Sequence, residues 1–202
     1  MTSAVNEALR SSLSSVDPMA PCARTMPAMR LSSALVLTMM VACGPVKRPD
    51  GGSGLLPIGA AAPEVIGRDA TGQEVKLSSQ RGKPVVLFFF YPADGTPGCT
   101  KEACAFRDTW SKFEQANVGV IGVSTDSPDS HAKFQREKRL PFALASDGSG
   151  AVGAMYGVKK QLWGYDRVSF LVDRDGKIAR VWHDVDPGVH ADEVLAAATK
   201  LP

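Results

Sequence analysis

The sequence predicts an α/β fold in which a central mixed β-sheet is flanked by helices on both faces. Two continuous apolar runs, residues 85–91 and 118–125, are rich in β-branched and aromatic residues, as strands buried on both faces are. A helix-favouring segment at residues 97–115 separates them, which predicts a right-handed βαβ unit. Hairpin patterns at residues 64–77 and 168–182 add antiparallel strands, so the sheet should be mixed.

The remaining elements follow in chain order. The N-terminal β-hairpin has two short strands around residues 69–72, and a short turn or helix follows it. Ser127 and Pro128 predict a helix start, because serine is a good N-cap and proline fits the first helical position. We expect that helix to run to residue 138, a short strand at 142–145, a short helix at 151–156, strands at 168–172 and 178–182, and a last helix at 191–200 with His190 near its start.

The composition fits one soluble domain and excludes several protein classes. The chain has 202 residues and a net charge of +2, with 23 basic and 21 acidic residues. This near balance of charges gives no reason to expect a nucleic-acid partner. Four cysteines are too few for a disulfide-stapled scaffold. The fold must therefore rest on a hydrophobic core.

The N-terminal segment has the three-part pattern of a secretory signal. Arg30 precedes an apolar stretch of about a dozen residues, which would rise about 18 Å as a helix, too short to span a membrane. Met-Val-Ala-Cys, ending at Cys43, resembles a bacterial lipobox, in which cleavage before the cysteine exposes it for lipidation. A plain export signal and an unstructured N-terminus are the alternatives. Residues 1–42 are thus a signal peptide or, if translation starts at Met19, Met26 or Met29, partly upstream sequence.

Residues 43–62 are rich in glycine and proline and lack periodicity, which predicts a flexible tether. The globular domain should then span residues 63–202. We expect an exported protein of a bacterium, either periplasmic or a lipoprotein tethered to the membrane through Cys43. A cytoplasmic protein is the alternative.

The candidate chemistry lies directly after the first buried strand. Thr96 is placed as an N-cap and Pro97 as the first helical residue, so Cys99 falls in the first helical turn. Free backbone N–H groups and the positive end of the helix dipole favour a thiolate there. Cys99 is therefore predicted to be reactive.

A second cysteine, Cys104, lies five residues further on. Five helical residues separate the two Cα atoms by roughly 8.7 Å, whereas a disulfide tolerates at most about 7 Å. A Cys99–Cys104 disulfide thus requires the first helical turns to unwind, which favours a redox pair over a static bridge. The spacing differs from that of thioredoxin-type dithiols, and a zinc site would need two more ligands, for which the three histidines show no paired spacing.

The residues around Cys99 carry a resemblance. The pattern Pro92-x-x-x-Thr96-x-x-Cys99 resembles the peroxiredoxin active-site signature, and residues 96–108 (TPGCTKEACAFRD) resemble the branch named after bacterioferritin comigratory protein, also called the Q type. The likeness runs from Leu56 to the C-terminus and includes residues 156–158, 167–173 and 190–195. It implies a thioredoxin-like fold and a thiol-dependent peroxidase.

By this resemblance Cys99 is the peroxidatic cysteine and Cys104 the intramolecular resolving cysteine, and Pro92, Thr96 and Arg167 complete the pocket. The substrates would be hydrogen peroxide and small organic hydroperoxides, and a thioredoxin-like protein would be the reductant. No metal or organic cofactor is implied, and the branch suggests a monomer. A copper-binding or metallochaperone module and a general thiol-disulfide oxidoreductase are the alternatives on the same fold.

Other conspicuous residues have simpler interpretations. Phe88 to Phe90 are expected in the core, and the three tryptophans, Trp110, Trp163 and Trp182, are expected to be packing residues. Lys101 and Glu102 are expected to form a solvated helix face.

Overall fold

The computed structural model describes residues 45–80 and 85–202. Its strands are β1 Val65–Arg68, β2 Glu74–Lys76, β3 Val85–Phe90, β4 Gly119–Ser124, β5 Ala143–Ser146, β6 Lys160–Gln161, β7 Gly164–Tyr165, β8 Val168–Val172 and β9 Ile178–Trp182. Its helices are α1 Pro97–Asp108, α2 Trp110–Gln115, α3 Pro128–Lys138, α4 Ala151–Tyr156 and α5 His190–Ala198, with a 3₁₀ helix at Leu77–Gln80.

Seven strands form one sheet in the order β2-β1-β5-β4-β3-β8-β9, and β6 and β7 form a separate hairpin. The strands β3, β4 and β5 are parallel, whereas β8 and β9 at one edge and β1 and β2 at the other are antiparallel. This arrangement confirms the predicted mixed sheet. Because β3 lies between β4 and β8, the loop after it opens near the centre of the sheet.

Two hydrophobic clusters cover the two faces of the sheet. All six residues of β4 are buried, and they alternate between the clusters: Val120 packs with α1 and α5, whereas Ile121 and Val123 pack on the side of α4. This alternation explains the continuous apolar run of residues 118–125, since both faces of the strand need apolar side chains.

The expected helix at residues 97–115 is two helices. The first ends at Asp108, and Thr109 leaves the helical conformation before α2 begins at Trp110. The N-cap predicted at Ser127 is confirmed, because its Oγ accepts a hydrogen bond from the backbone N–H of Ser130 at 3.3 Å. The β6–β7 hairpin was not predicted, because its two-residue strands are too short to show alternation.

Part of the segment predicted as a tether, residues 43–62, contacts the globular domain. Leu56 is buried and donates its N–H to the carbonyl of Tyr156 at 2.9 Å. Gly59 and Ala60 exchange backbone hydrogen bonds with Ile178 in β9. This part of the predicted tether thus packs against α4 and β9 through backbone partners that its composition does not reveal.

The predicted signal peptide and Cys43 lie outside the described residues. Within residues 45–80 and 85–202, no helix combines the length and apolar character that a membrane span requires.

Candidate active site

The loop from Tyr91 to Thr96 connects the central strand β3 to helix α1. Thr96 is the N-cap residue by backbone conformation, and Pro97 is the first helical residue, as predicted. The Thr96 hydroxyl does not cap the helix but donates to the carbonyl of Ala93 at 3.1 Å. The first N–H groups of α1 therefore receive no cap from this side chain.

Cys99 lies in the first turn of α1 and is only 1% exposed. Arg167 immediately precedes β8, and β8 pairs with β3 so that Val168 lies opposite Phe90. This pairing brings Arg167 beside the start of α1, where its Nη2 donates to the Cys99 sulfur at 3.5 Å. Strand pairing thus joins two residues that are 68 positions apart in the sequence.

Glu102 is buried, and the expectation that it lies on a solvated helix face is wrong. Its side chain is fully buried, and its Oε2 accepts a hydrogen bond from Arg167 Nη1 in an ion pair. Cys99, Glu102, Ala103 and Phe106 are the buried residues of α1, spaced as one helix face. Lys101, by contrast, is exposed as predicted.

Burial raises the pKa of Glu102 to about 7, although the Arg167 charge opposes this shift. The second oxygen, Oε1, has no hydrogen-bond partner and is buried, which further disfavours the ionised form. For Arg167, burial lowers the pKa, but the Glu102 carboxylate and the Cys99 sulfur outweigh it and raise the pKa above its ordinary value. Arg167 therefore remains a cation.

A neutral histidine lies behind Arg167. His190 is fully buried at the start of α5, and its Nε2 lies 2.7 Å from the Ser169 hydroxyl. Burial, followed by the Arg167 charge, lowers the pKa of His190 to about 4. The imidazole thus adds no second positive charge near the site at neutral pH.

A partly buried polar cluster holds the loop before Cys99 and consists of Tyr91, Asp94, Asp126, Ser130 and His131. The Asp94 carboxylate accepts from the Tyr91 hydroxyl at 2.7 Å and the Ser130 hydroxyl at 2.7 Å, and it lies 2.9 Å from His131 Nδ1. The Asp94 N–H donates to Asp126 at 2.9 Å. Burial alone would raise the pKa of Asp94, but the hydrogen bond and charge of His131 lower it.

Cys104 lies in the same helix as Cys99, is partly buried, and is a free thiol like Cys99. The helix is continuous between them, so helical geometry keeps their Cα atoms about 8.7 Å apart. Pro92 is half-buried, and its carbonyl faces Gly164, where an added Cβ would lie 1.8 Å from the oxygen. The structure thus brings Cys99 and Arg167 together and places Thr96 and Pro92 on the adjoining loop.

Comparison with known proteins identifies the family. The model of the AhpC/TSA family matches residues 58–181, which include the loop, α1 and Arg167. The chain belongs to this family. It is a peroxiredoxin, an enzyme that reduces peroxides with a cysteine thiol.

Curated relatives place this peroxiredoxin beside the Q type. Chloroplastic peroxiredoxin Q of Sedum lineare is 43% identical over 146 residues, covering 71% of this chain and 78% of the relative. Putative peroxiredoxin bcp of Coxiella burnetii is 41% identical over 147 residues, covering 69% of this chain and 97% of the relative. The resemblance stated from the motif is thereby confirmed.

Solved structures agree with the thioredoxin-like fold. Peroxidoxin BcpB from Mycobacterium tuberculosis superposes with a TM-score of 0.66 at 38% identity, covering 71% of this chain and 96% of the other. The bacterioferritin comigratory protein of Xanthomonas campestris superposes with a TM-score of 0.62 at 34% identity, covering 71% and 95%. That structure was determined to study the alkyl peroxide reduction activity of the Xanthomonas campestris protein.

These relatives favour the peroxidase over the metallochaperone and oxidoreductase alternatives. In the described part of the peroxiredoxin, no group of three or more His, Cys, Asp or Glu side chains is arranged to hold a metal ion.

Arg167 also lines an open pocket of about 510 Å³, one wall of which comes from Pro45, Val46, Gly54 and Leu55. That wall precedes the family-matched range, so it is contributed by sequence outside the family model.

Proposed function

We propose that Cys99 is the peroxidatic cysteine of this peroxiredoxin and that hydrogen peroxide and organic hydroperoxides are its substrates. The observation that carries this proposal is the Arg167 guanidinium 3.5 Å from the Cys99 sulfur, in the first turn of α1. A fixed cation and the helix N-terminus both stabilise negative charge on the sulfur before attack and on the departing oxygen during it.

In the first step, the Cys99 thiolate attacks the terminal peroxide oxygen and the O–O bond breaks. The leaving oxygen takes a proton and departs as water or an alcohol, and Cys99 becomes a sulfenic acid. Arg167 donates to the developing charge, and the Thr96 hydroxyl turns from the Ala93 carbonyl to orient the peroxide. Pro92, on the adjoining loop, shields the sulfenate from a second peroxide.

In the second step, the Cys104 thiol attacks the Cys99 sulfenic acid, water leaves, and a disulfide forms. Helical geometry keeps the two cysteines too far apart for this bond, so the start of α1 must unwind first. A thioredoxin-like dithiol then reduces the disulfide by exchange and becomes oxidised itself. The chain carries no other cysteine after Cys43, which leaves Cys104 as the resolving candidate within the domain.

Stopped-flow oxidation of the reduced protein tests the first step. The wild-type protein should lose its reactive thiol rapidly on mixing with hydrogen peroxide, and Cys99→Ser should abolish this phase. Cys104→Ser is the matched control, because it keeps the fast phase but should stop turnover with a dithiol reductant. Fast thiol loss in Cys99→Ser would refute the assignment of Cys99.

Mass spectrometry of the oxidised protein tests the second step. The proposal requires one intramolecular disulfide between Cys99 and Cys104 in a monomer. An intermolecular bond, or a stable sulfenic acid without a disulfide, would refute the role of Cys104.

The N-terminal pattern supports an exported lipoprotein, tethered to the membrane through Cys43. Its signal-like apolar stretch and the lipobox-like Met-Val-Ala-Cys carry this part of the proposal. Mass spectrometry of the N-terminal peptide should find an acylated Cys43. Recovery of the chain from the cytosol with Met1 intact would refute export.

A further inference from the structure

An exposed apolar tip closes the β6–β7 hairpin. It consists of Leu162, 87% exposed, and Trp163, 82% exposed. Among the described residues, the other exposed large hydrophobic side chains are Ile58, at 67%, and Val189, at 48%. Trp163 was expected to be a packing residue, and that expectation is wrong. The two most exposed large apolar side chains of the domain are thus adjacent in sequence.

The base of the hairpin is firmly held, so the tip projects from an ordered support. Tyr165 is buried with its ring edge-on to Phe90 at 5.2 Å, and its hydroxyl donates to Asp147 at 2.5 Å. Gln161 donates to Asp166 at 3.0 Å. A well-anchored turn that presents leucine and tryptophan to solvent is unusual unless a partner covers them.

The base of the hairpin packs against the loop that leads to Cys99. Gly164, the residue after Trp163, packs so closely on Pro92 that an added Cβ would lie 1.8 Å from the Pro92 carbonyl oxygen. Arg167 follows three residues later and contacts Cys99. The hairpin that carries the tip is therefore joined on one side to Pro92 and on the other, along the chain, to Arg167.

The size and chemistry of the tip favour a lipid surface over another protein. A stable protein interface buries about 800 Å² per partner, whereas two side chains of this kind supply roughly 400 Å² at most. A bilayer needs no complementary surface, and tryptophan is enriched at the membrane interface. Lys160, exposed two residues before the tip, adds a positive charge that complements anionic headgroups.

We propose that the Leu162–Trp163 tip inserts into the headgroup region of an anionic membrane and holds the active-site mouth against the bilayer surface. Hydroperoxides of phospholipid acyl chains would then be preferred substrates, reduced to the corresponding alcohols while Cys99 is oxidised to the sulfenic acid and a dithiol supplies the electrons. This second part rests on the proposed function, whereas membrane insertion of the tip does not.

Quenching by brominated lipids tests the insertion. The full chain is mixed with vesicles of phosphatidylglycerol and brominated phosphatidylcholine, and tryptophan fluorescence is recorded. Trp110 is partly buried and Trp182 is buried, and the apolar segment before Cys43 holds no tryptophan, so only Trp163 should respond. We expect quenching in the wild type and its loss in Trp163→Phe. Absence of quenching in the wild type would overturn the proposal.

The ratio of two rate constants tests the substrate preference. Oxidation rates with phospholipid hydroperoxide in vesicles and with hydrogen peroxide are compared for the wild type, for Leu162→Ser combined with Trp163→Ser, and for Ile58→Ser as the matched control. The tip variant should lower the ratio roughly tenfold with the hydrogen peroxide rate unchanged, and the control should keep the ratio.

The outcomes separate this inference from the function on which it partly rests. A wild-type protein that does not react with hydrogen peroxide would overturn the proposed function, yet quenching would still report on the tip. An unchanged ratio in the tip variant would overturn the substrate preference. A tip variant that instead changes the molar mass in solution, or the rate of reduction by a dithiol protein, would identify a protein as the occupant and overturn the membrane proposal.

Discussion

The Glu102→Gln variant is the most informative perturbation of the site, because it removes one ionisable group and keeps the shape of the side chain. Glu102 is fully buried, holds Arg167 through Oε2, and leaves Oε1 without a hydrogen-bond partner. Burial raises the pKa of this carboxyl from an ordinary 4.5 to about 7. The folded protein therefore keeps a proton on Glu102 over a pH range in which the unfolded chain has lost it.

The sign and size of the effect follow from proton linkage. Between pH 4.5 and pH 7 the unfolded state binds fewer protons at this site than the folded state, so the free energy of unfolding falls as the pH rises. One pKa unit corresponds to about 1.4 kcal/mol, so the full shift of Glu102 is worth about 3 kcal/mol across this range. Glutamine does not titrate, and Glu102→Gln should lack this loss.

Denaturant unfolding of the reduced protein at several pH values from 4.5 to 8 measures the difference. The free energy of unfolding of the wild type, relative to Glu102→Gln, should fall by about 3 kcal/mol over this range. Glu114→Gln is the matched control, because it makes the same substitution at an exposed position, on α2. Parallel curves for the wild type and Glu102→Gln would refute the burial argument.

Three further predictions concern the groups around Cys99. Arg167→Lys cannot donate to Glu102 and Cys99 from a planar fork, so the stopped-flow rate constant of Cys99 oxidation should fall about 100-fold; an unchanged rate would contradict the role of the guanidinium. Gly164→Ala forces a Cβ against the Pro92 carbonyl at a φ of +115° and should lower the free energy of unfolding, measured in urea, by at least about 2 kcal/mol. The control Gly72→Ala has open space around its Cβ and should lower the same free energy by about 1 kcal/mol. The wild type should be more stable than Asp94→Asn at pH 7. This advantage should shrink as the pH falls below 3.8, because the pKa of Asp94 is lowered in the folded state. Urea unfolding at pH 7 and pH 3 measures the advantage, and an equal value at both would contradict the prediction.

Much of the site could be predicted from the sequence because its main signals are local. The N-cap position of Thr96, the helix start at Pro97 and the place of Cys99 in the first turn depend on adjacent residues. Arg167 was expected in the pocket from the family resemblance, and the antiparallel pairing of β8 with β3 brings it to Cys99. The mixed sheet likewise followed from the two apolar runs together with the two hairpin patterns.

The errors arose where a distant partner decides the environment of a side chain. Glu102 shares a helix face with Cys99 and Phe106, and the spacing of the three residues showed this. Its charge nevertheless suggested exposure. The counter-ion that permits its burial, Arg167, lies 65 residues away in the sequence and leaves no local pattern. The Asp94–His131 contact spans 37 residues and left no local pattern. Trp163 was misjudged because tryptophan is usually packed, and the two-residue strands around it carry no periodicity.

The position of Glu102 between the two cysteines couples the ion pair to the proposed cycle. In the proposed first step the Arg167 guanidinium acts beside the Cys99 sulfur, and its ion pair with Glu102 holds it there. Formation of the Cys99–Cys104 disulfide requires the first turns of α1 to unwind, and residue 102 lies within the segment that must move, so the Glu102–Arg167 contact must break. A carboxyl group with a pKa of about 7 suits both demands, because protonation near neutral pH weakens its attraction to Arg167 without removing the hydrogen bond. The polar cluster around Asp94 meanwhile anchors the loop before Cys99 to α3, on the other side of the segment that must move.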